Sequence, residues 1–176
     1  MAQQEVIFAG FGGQGILSMG KFLAYGGMER DFNVSWCPSY GPEMRGGTAN
    51  CSVIISDDII GSPVITLPDS LIVMNRPSFD KFEHTLKPGG LMIMDSDLIA
   101  EEPTRQDITV IKIPAQSLAQ QIGSKTIANM ILLGALVAKT GIISVDELLK
   151  ALKDHGKEKF YELNKKAIMI GTEYAG

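Results

Sequence analysis

Glu5-Val-Ile-Phe-Ala-Gly10-Phe-Gly-Gly-Gln-Gly15-Ile-Leu-Ser-Met19 is the stretch from which the fold can be read. Its first part is a short apolar run, the composition of a strand buried on both faces. Its last part begins a segment, Ile16 to Arg30, in which Ile16, Met19 and Leu23 recur at helical spacing and Gly26 and Gly27 continue the packing side. Between the two, Gly10-Phe-Gly12-Gly13-Gln14-Gly15 satisfies G-x-G-x-x-G after a strand and before a helix. Glycines there permit a tight turn and let ligand oxygens approach backbone N–H groups, while the helix N-terminus favours an anion. Strand, glycine turn and helix in that order open a layered α/β domain.

The rest of the chain keeps the alternation. Asn33–Pro38, Ala49–Ser56, Ser70–Asn75, Leu91–Asp95 and Ile108–Ile113 read as strands. Asp57-Asp58 reads as a turn into Ile59-Ile60, where antiparallel pairing is expected because the connection is too short for a crossover. Pro77 opens a helix to about Leu86, and Lys87-Pro-Gly-Gly90 is a turn. Ser124 is expected to cap a helix running to about Lys139, with Gly141 just past its end. Ser144 and Glu147 have capping-box spacing, and Leu148, Leu149 and Leu152 form the apolar stripe of the helix that Gly156 ends. Phe160, Leu163, Ala167 and Ile170 give a last helix one buried face, and Lys157, Lys159, Lys165 and Lys166 a solvated one. The expectation is one domain over residues 1–176. It is Rossmann-like and layered, with a mostly parallel central sheet, some antiparallel strand pairing, and helices on both faces.

Composition narrows the function. Of 176 residues, 45% are hydrophobic and only 20% charged, an apolar balance that points to a surface covered by a partner. Sixteen basic and twenty acidic side chains leave a net charge of −4, which speaks against nucleic-acid binding. The sequence starts without a basic-then-apolar leader and has no apolar run of about 20 residues, so a cytoplasmic location without membrane insertion is expected. Cys37 and Cys51 are the only cysteines and form no Cys-x-x-Cys pair, so this chain alone lacks the thiolates of an iron–sulfur cluster. Both are expected to be buried, inert strand residues. His84 and His155 read as surface side chains, no metal site is expected, and no serine occupies a Gly-x-Ser-x-Gly elbow. No catalytic residue is assigned.

The glycine loop is wrong for a dinucleotide. The second strand ends Ser35-Trp-Cys-Pro38, with no acidic residue for a ribose and no arginine in its place. No Gly-Lys-Ser/Thr follows either, so it is not a Walker loop. The candidate ligand- or interface-binding residues are Gly10, Gly12, Gly13, Gln14 and Gly15, with a second loop that leaves the second strand toward the same sheet edge. In that loop Tyr40 and Arg45 are donors suited to carboxylates, phosphates or a partner surface, Glu43 is placed to hold Arg45, and Gly46 and Gly47 close the turn. An internal Glu–Arg pair is the structural alternative. Asn129, in an otherwise apolar segment, needs a partner: it either caps a loop internally or faces the same cleft.

Taken together, Gly10-Phe-Gly-Gly-Gln-Gly15-Ile-Leu-Ser18, Pro38-Ser-Tyr-Gly-Pro-Glu-Met-Arg-Gly-Gly47, Pro68-Asp69, Met74-Asn-Arg-Pro-Ser78, Lys87-Pro-Gly-Gly90 and Asn129-Met-Ile-Leu-Leu-Gly134 resemble the gamma subunit of 2-oxoacid:ferredoxin oxidoreductases, over nearly the whole chain. The resemblance implies oxidative decarboxylation of a 2-oxoacid to an acyl-coenzyme A and CO2. It implies thiamine diphosphate and iron–sulfur clusters held on alpha, beta and delta (ferredoxin-like) partner subunits, with ferredoxin as acceptor. It implies that the two loops lie at a subunit interface near the active-site cavity or the coenzyme A approach, and that the isolated chain is inactive. The Pro42-Glu-Met-Arg-Gly-Gly47 wording looks closer to 2-oxoglutarate or branched-chain 2-oxoacid members than to pyruvate ones. A homodimer of the isolated chain is left open. The alternative, resting on the glycine loop alone, is a free-standing Rossmann-type nucleotide-binding oxidoreductase.

Overall fold

A computed structural model describes residues 2–39 and 48–175. The glycine stretch does open the fold: strand β1 (Gln3–Phe11) runs through the loop into helix α1 (Ile16–Glu29). There follow β2 (Asn33–Ser39), β3 (Thr48–Ser56), β4 (Ser70–Val73), α2 (Arg76–Phe82), β5 (Leu91–Asp95), β6 (Thr109–Ile113), α3 (Ala115–Ile122), α4 (Ala128–Thr140), α5 (Val145–His155) and α6 (Tyr161–Tyr174). The strands form one sheet in the order β2-β3-β1-β4-β5-β6. β1, β4, β5 and β6 are mutually parallel, while β3 is antiparallel to both β1 and β2. The sheet is thus mostly parallel with an antiparallel flank. β2 runs in the same direction as β1, so Ser39, at the end of β2, and Thr48, opposite Phe11, both stand at the edge that carries the glycine loop.

The two faces are covered unequally. One packs Phe8, Ile72 and Ile93 against Met19 and Leu23 of α1 and against the α3–α6 helices in a large apolar cluster. The other holds Ile7, Leu71, Val73 and Met92 under Phe79 of α2 and Ile99. α4 is buried from Ala128 to Val137 because it lies between the sheet and α6. Gly134 and Gly171 allow that crossing: a Cβ on either would run into backbone of the opposite helix, at Ile168 and Ile131 respectively.

Several expectations are corrected. Ile59-Ile60 forms no strand, and Ile59 is 86% exposed. The reason is that both sides of β3 are already occupied by β1 and β2, so no edge is open to a further strand. The segment ahead of Ser124 contains α3, unanticipated although Ala115, Leu118, Ala119 and Ile122 have helical spacing. Ser124 caps not α4 itself but a 3-10 turn, Lys125–Ile127, which leads into α4; Gly141 closes α4 with φ 64°. α6 buries Ala167, Ile168 and Gly171, and Leu163 and Ile170 of the expected stripe pack against the same core, but Phe160 stands outside on the preceding turn, 43% exposed.

The capping box is present in full. The Ser144 hydroxyl accepts from Glu147 N–H at 3.0 Å, and Glu147 Oε1 accepts from Ser144 N–H at 2.9 Å. Arg30, at the end of α1, reaches the same carboxylate at 2.8 Å and donates to the Ile142 carbonyl at 3.1 Å. Partial burial pushes the Glu147 carboxyl up, but the Ser144 donors and the Arg30 guanidinium outweigh it and hold the group below its ordinary value of 4.5. The stabilisation is therefore full above that value and is lost as pH falls through the lower, folded-state one. Ser144→Ala should cost about 1 kcal/mol in denaturant unfolding. Glu147→Gln should flatten the loss of stability below pH 4.5, measured as the unfolding midpoint against pH.

Candidate functional site

The site lies at the carboxyl edge of the sheet. Chain connections diverge there: β1 leads through α1 to the β2/β3 flank, and β4 leads through α2 to β5. Open α/β sheets bind ligands at such a switch point. Gln14 occupies it. Its Oε1 accepts from Phe11 N–H at 2.6 Å and its Nε2 donates to the Met74 carbonyl at 3.2 Å, so one amide joins the ends of the adjacent parallel strands β1 and β4. Gly10 makes room for this: a Cβ there would stand 2.6 Å from Gln14 Oε1 and 2.7 Å from Ile16 Cδ1. Gln14, an unusual insertion in a dinucleotide loop, is therefore a strut.

Asn129 is the second strut. It is 6% exposed, and its Nδ2 donates to the Gly15 carbonyl at 3.2 Å while Oδ1 accepts from Met130 N–H at 3.0 Å. Of the two roles expected for it, the internal one is realised, and it also lines the cleft. Gly15 is the N-cap of α1 at φ 74°, a left-handed conformation that favours glycine, and a Cβ on it would collide with the Asn129 amide.

The propped loop has a cleft on each side. One, of about 180 Å³, opens between Gly13 and Gln14 on one wall and Lys125, Thr126 and Asn129 on the other, with Gln116 from α3 at its back. The second, of about 320 Å³, lies between Phe11, Gly12, Gly13, the first turn of α1 and Ala49 of β3. Gly13, exposed at φ 91° with open space about its Cα, is the crest between them. Among the described residues neither lining includes a histidine, cysteine, aspartate or glutamate. Behind Gln116 sits Asp95, fully buried; Gln116 Nε2 donates to it at 2.9 Å and Asp97 N–H at 3.0 Å. Burial pushes the Asp95 carboxyl up, and the two donors only partly offset this.

Of the sequence-derived residues, Gly10, Gly12, Gly13, Gln14, Gly15 and Asn129 are gathered here. Tyr40, Glu43, Arg45, Gly46 and Gly47 lie outside the described residues. Gln116, Lys125 and Thr126 escaped sequence reasoning: the first rides on the unanticipated α3, and the other two follow a Ser124 that was read only as a cap. Cys51 is buried, its thiol pushed up to about 12 mainly by burial. Cys37, however, is exposed, which corrects the expectation of burial. The cause is that β2 is an edge strand whose Cys37 side pairs with Ser52 on the less covered face. His84 and His155 are exposed, and His155 stacks on Tyr25 with ring centroids 3.7 Å apart. The arrangement also departs from a dinucleotide fold, where the second strand lies beside the first. Here antiparallel β3 takes that place.

Gly15→Ala should destabilise the chain by roughly 2 kcal/mol or more through backbone strain and the clash. Adding Asn129→Ala should recover only the steric part, leaving a non-additive double-mutant cycle in chemical denaturation.

Comparison with known proteins gives the chain its relatives. It is 38% identical to the VorA subunit of ketoisovalerate oxidoreductase from Methanothermobacter marburgensis over 97% of its own length, but spans only 36% of that longer protein. It is 35% identical to the KorC subunit of 2-oxoglutarate synthase from Methanocaldococcus jannaschii, over 98% of this chain and 94% of the relative. The gamma subunit of a keto/oxoacid ferredoxin oxidoreductase from Geobacter sulfurreducens superposes with a TM-score of 0.89 at 34% identity, covering 99% and 97% of the two chains. The 2-oxoglutarate:ferredoxin oxidoreductase of Magnetococcus marinus, solved with 2-oxoglutarate, coenzyme A and succinyl-CoA bound, gives 0.88 at 25% identity; this chain is covered to 99% and that one to 31%. Residues 5–174 match the pyruvate ferredoxin/flavodoxin oxidoreductase family. The chain belongs to that family, as a gamma-subunit-type member.

Proposed function

We propose that residues 1–176 act as one gamma-type domain within a multisubunit enzyme that converts a 2-oxoacid and coenzyme A to an acyl-coenzyme A and CO2, with ferredoxin taking the electrons. The observation that carries this reading is the propped glycine loop with a cleft on each side. It is a binding edge whose described residues include no acid–base groups, in a chain whose relatives are subunits of such oxidoreductases. In this reading the chain shapes the approach of coenzyme A or the active-site cavity, with Arg45 and Tyr40 as candidate donors to a ligand or partner. Alpha, beta and delta or ferredoxin-like subunits supply the redox and carbanion chemistry, and the isolated chain is inactive.

The donor set agrees with cofactors held elsewhere. Cys37 pairs in register with Ser52, so it and Cys51 point to opposite faces of the sheet and cannot ligate one cluster. Among the described residues no three metal-ligating side chains come together. Thiamine diphosphate would supply the acyl-anion equivalent when bound in a partner; this chain's part is to position and enclose. A 2-oxoglutarate or branched-chain 2-oxoacid is favoured as substrate. Identity is 33–38% to relatives named for those acids and 27–28% to two pyruvate synthase subunits. No described helix is long and apolar enough to cross a membrane; a cytoplasmic location is part of the proposal.

Affinity purification from the native source should bring down thiamine-enzyme subunits, and a lone monomer would overturn the reading. In the complex, Arg45→Ala should raise KM for coenzyme A or the 2-oxoacid roughly tenfold, about 1.4 kcal/mol, with assembly intact. Micromolar calorimetric binding of NAD, NADP or FAD to the isolated chain would instead support the free-standing nucleotide enzyme.

A further inference from the structure

We propose that Gln116 is a specificity-determining residue of the smaller cleft. Held by the buried Asp95, it turns its carbonyl oxygen to the ligand and, with Asn129, takes a secondary amide. Coenzyme A carries two such amides in its pantetheine arm and a simple 2-oxoacid carries none, so this side of the glycine loop takes the arm. The proposal rests on the gamma-subunit reading and says which substrate that side holds.

Asp95-Ser-Asp97 closes β5, and both carboxylates meet the start of α3. Asp97 Oδ2 accepts from Ser117 N–H at 2.7 Å, and Asp95 Oδ2 accepts from Gln116 Nε2 at 2.9 Å. Asp95 is fully buried, and its Oδ1 accepts from Asp97 N–H at 3.0 Å. An ionised carboxylate offers acceptors alone. It therefore faces the nitrogen end of the Gln116 amide, because the reverse orientation would set oxygen against oxygen in a buried place. The backbone of Gln116 is held as well, since its neighbour Ala115 and Ala119 one turn on are both buried. The amide is planar, so fixing Nε2 also fixes Oε1. Gln116 is half-buried and lines the cleft, and among the described residues nothing donates to its Oε1.

Asn129 lines the same cleft and is more than nine-tenths buried. Its Oδ1 is engaged by Met130 N–H, and one hydrogen of Nδ2 goes to the Gly15 carbonyl. The second hydrogen has no acceptor among the described residues. The Gln14 amide is engaged at both ends, and the Thr126 hydroxyl pairs with that of Ser124 at 2.7 Å. Lys125 also lines the cleft but is an exposed side chain on a flexible stem. The fixed amides thus leave one acceptor, on Gln116, and one donor, on Asn129. A secondary amide answers both, its N–H donating to Gln116 Oε1 and its carbonyl accepting from Asn129. A carboxylate or phosphate brings acceptors alone and would meet the Gln116 oxygen with no hydrogen between them. At about 180 Å³ the cleft has room for an amide and its flanking methylenes, and the larger cleft shares Gly13 with it, open to the rest of the ligand.

The test uses the assembled complex, with KM and kcat measured separately for coenzyme A and for the 2-oxoacid it turns over. Gln116→Met should raise KM for coenzyme A roughly tenfold and leave KM for the 2-oxoacid unmoved. Asp95→Asn is the sharper variant. The introduced amide keeps an oxygen for Asp97 N–H, but its nitrogen donates to Gln116 Oε1 and so turns the Gln116 nitrogen to the cleft. KM for coenzyme A should then rise as in Gln116→Met, although residues 95 and 116 remain hydrogen-bonded; a purely structural pair predicts no change. Combining Asp95→Asn with Gln116→Glu returns an oxygen to the cleft and should lower that KM again. An unmoved KM for coenzyme A in both single variants, or equal rises for both substrates, overturns the proposal and leaves the subunit reading standing. So does weakened assembly with KM intact, which would give the amide to a partner subunit's backbone. If the wild-type chain forms no complex, the subunit reading fails and this proposal with it.

Discussion

The Gln14 amide bridge is the contact on which the rest of the site depends. At the switch point the chain leaves the paired strands β1 and β4 in opposite directions, so a gap opens just past their last ladder bond, from Met74 N–H to the Ala9 carbonyl. Gln14 closes that gap with one acceptor and one donor, to Phe11 N–H and the Met74 carbonyl. The Met74 carbonyl belongs to a buried residue and would otherwise cost about 1–3 kcal/mol, whereas Phe11 stands at the exposed end of β1. The bridge fixes the loop, requires a glycine at position 10, and gives the crest at Gly13 a constant place between the two clefts.

Asn129 does for the far side of the loop what Gln14 does for the near side. It brings the start of α4 against the start of α1, and α4 is itself clamped between sheet and α6 by the close crossing at Gly134 and Gly171. The glycine loop is thus held from the sheet by one amide and from the buried helix layer by another. Such a loop is suited to presenting backbone N–H groups in a fixed array, since binding then needs little ordering of the protein. Among the described residues, neither cleft lining contains an acid or a histidine.

Much of this was legible in the sequence, for local reasons. The strand–glycine–helix opening, the capping box at Ser144 and the terminator at Gly141 are set by neighbouring residues, and all three stand in the structure. What was not legible depended on contacts distant in sequence. Nothing near Ile59 reveals that both sides of β3 are taken, and nothing near Cys37 reveals that β2 is an edge strand. Gln14 could be flagged as odd but not understood, because its partner Met74 lies 60 residues away. Lys125 and Thr126 reach the cleft only because Asn129 ties the start of α4 to Gly15, 114 residues distant.

The central claim is that the clefts flanking Gly13 are where this chain meets the small-molecule substrates of its complex. Amide hydrogen exchange of the assembled enzyme, with and without coenzyme A and 2-oxoacid, tests it most directly. The account predicts that ligand slows exchange at Gly12–Ser18 and at Lys125–Met130 together, with the β5–β6 side of the sheet unchanged. Protection confined to other parts of the chain, or no change at either segment, would contradict it.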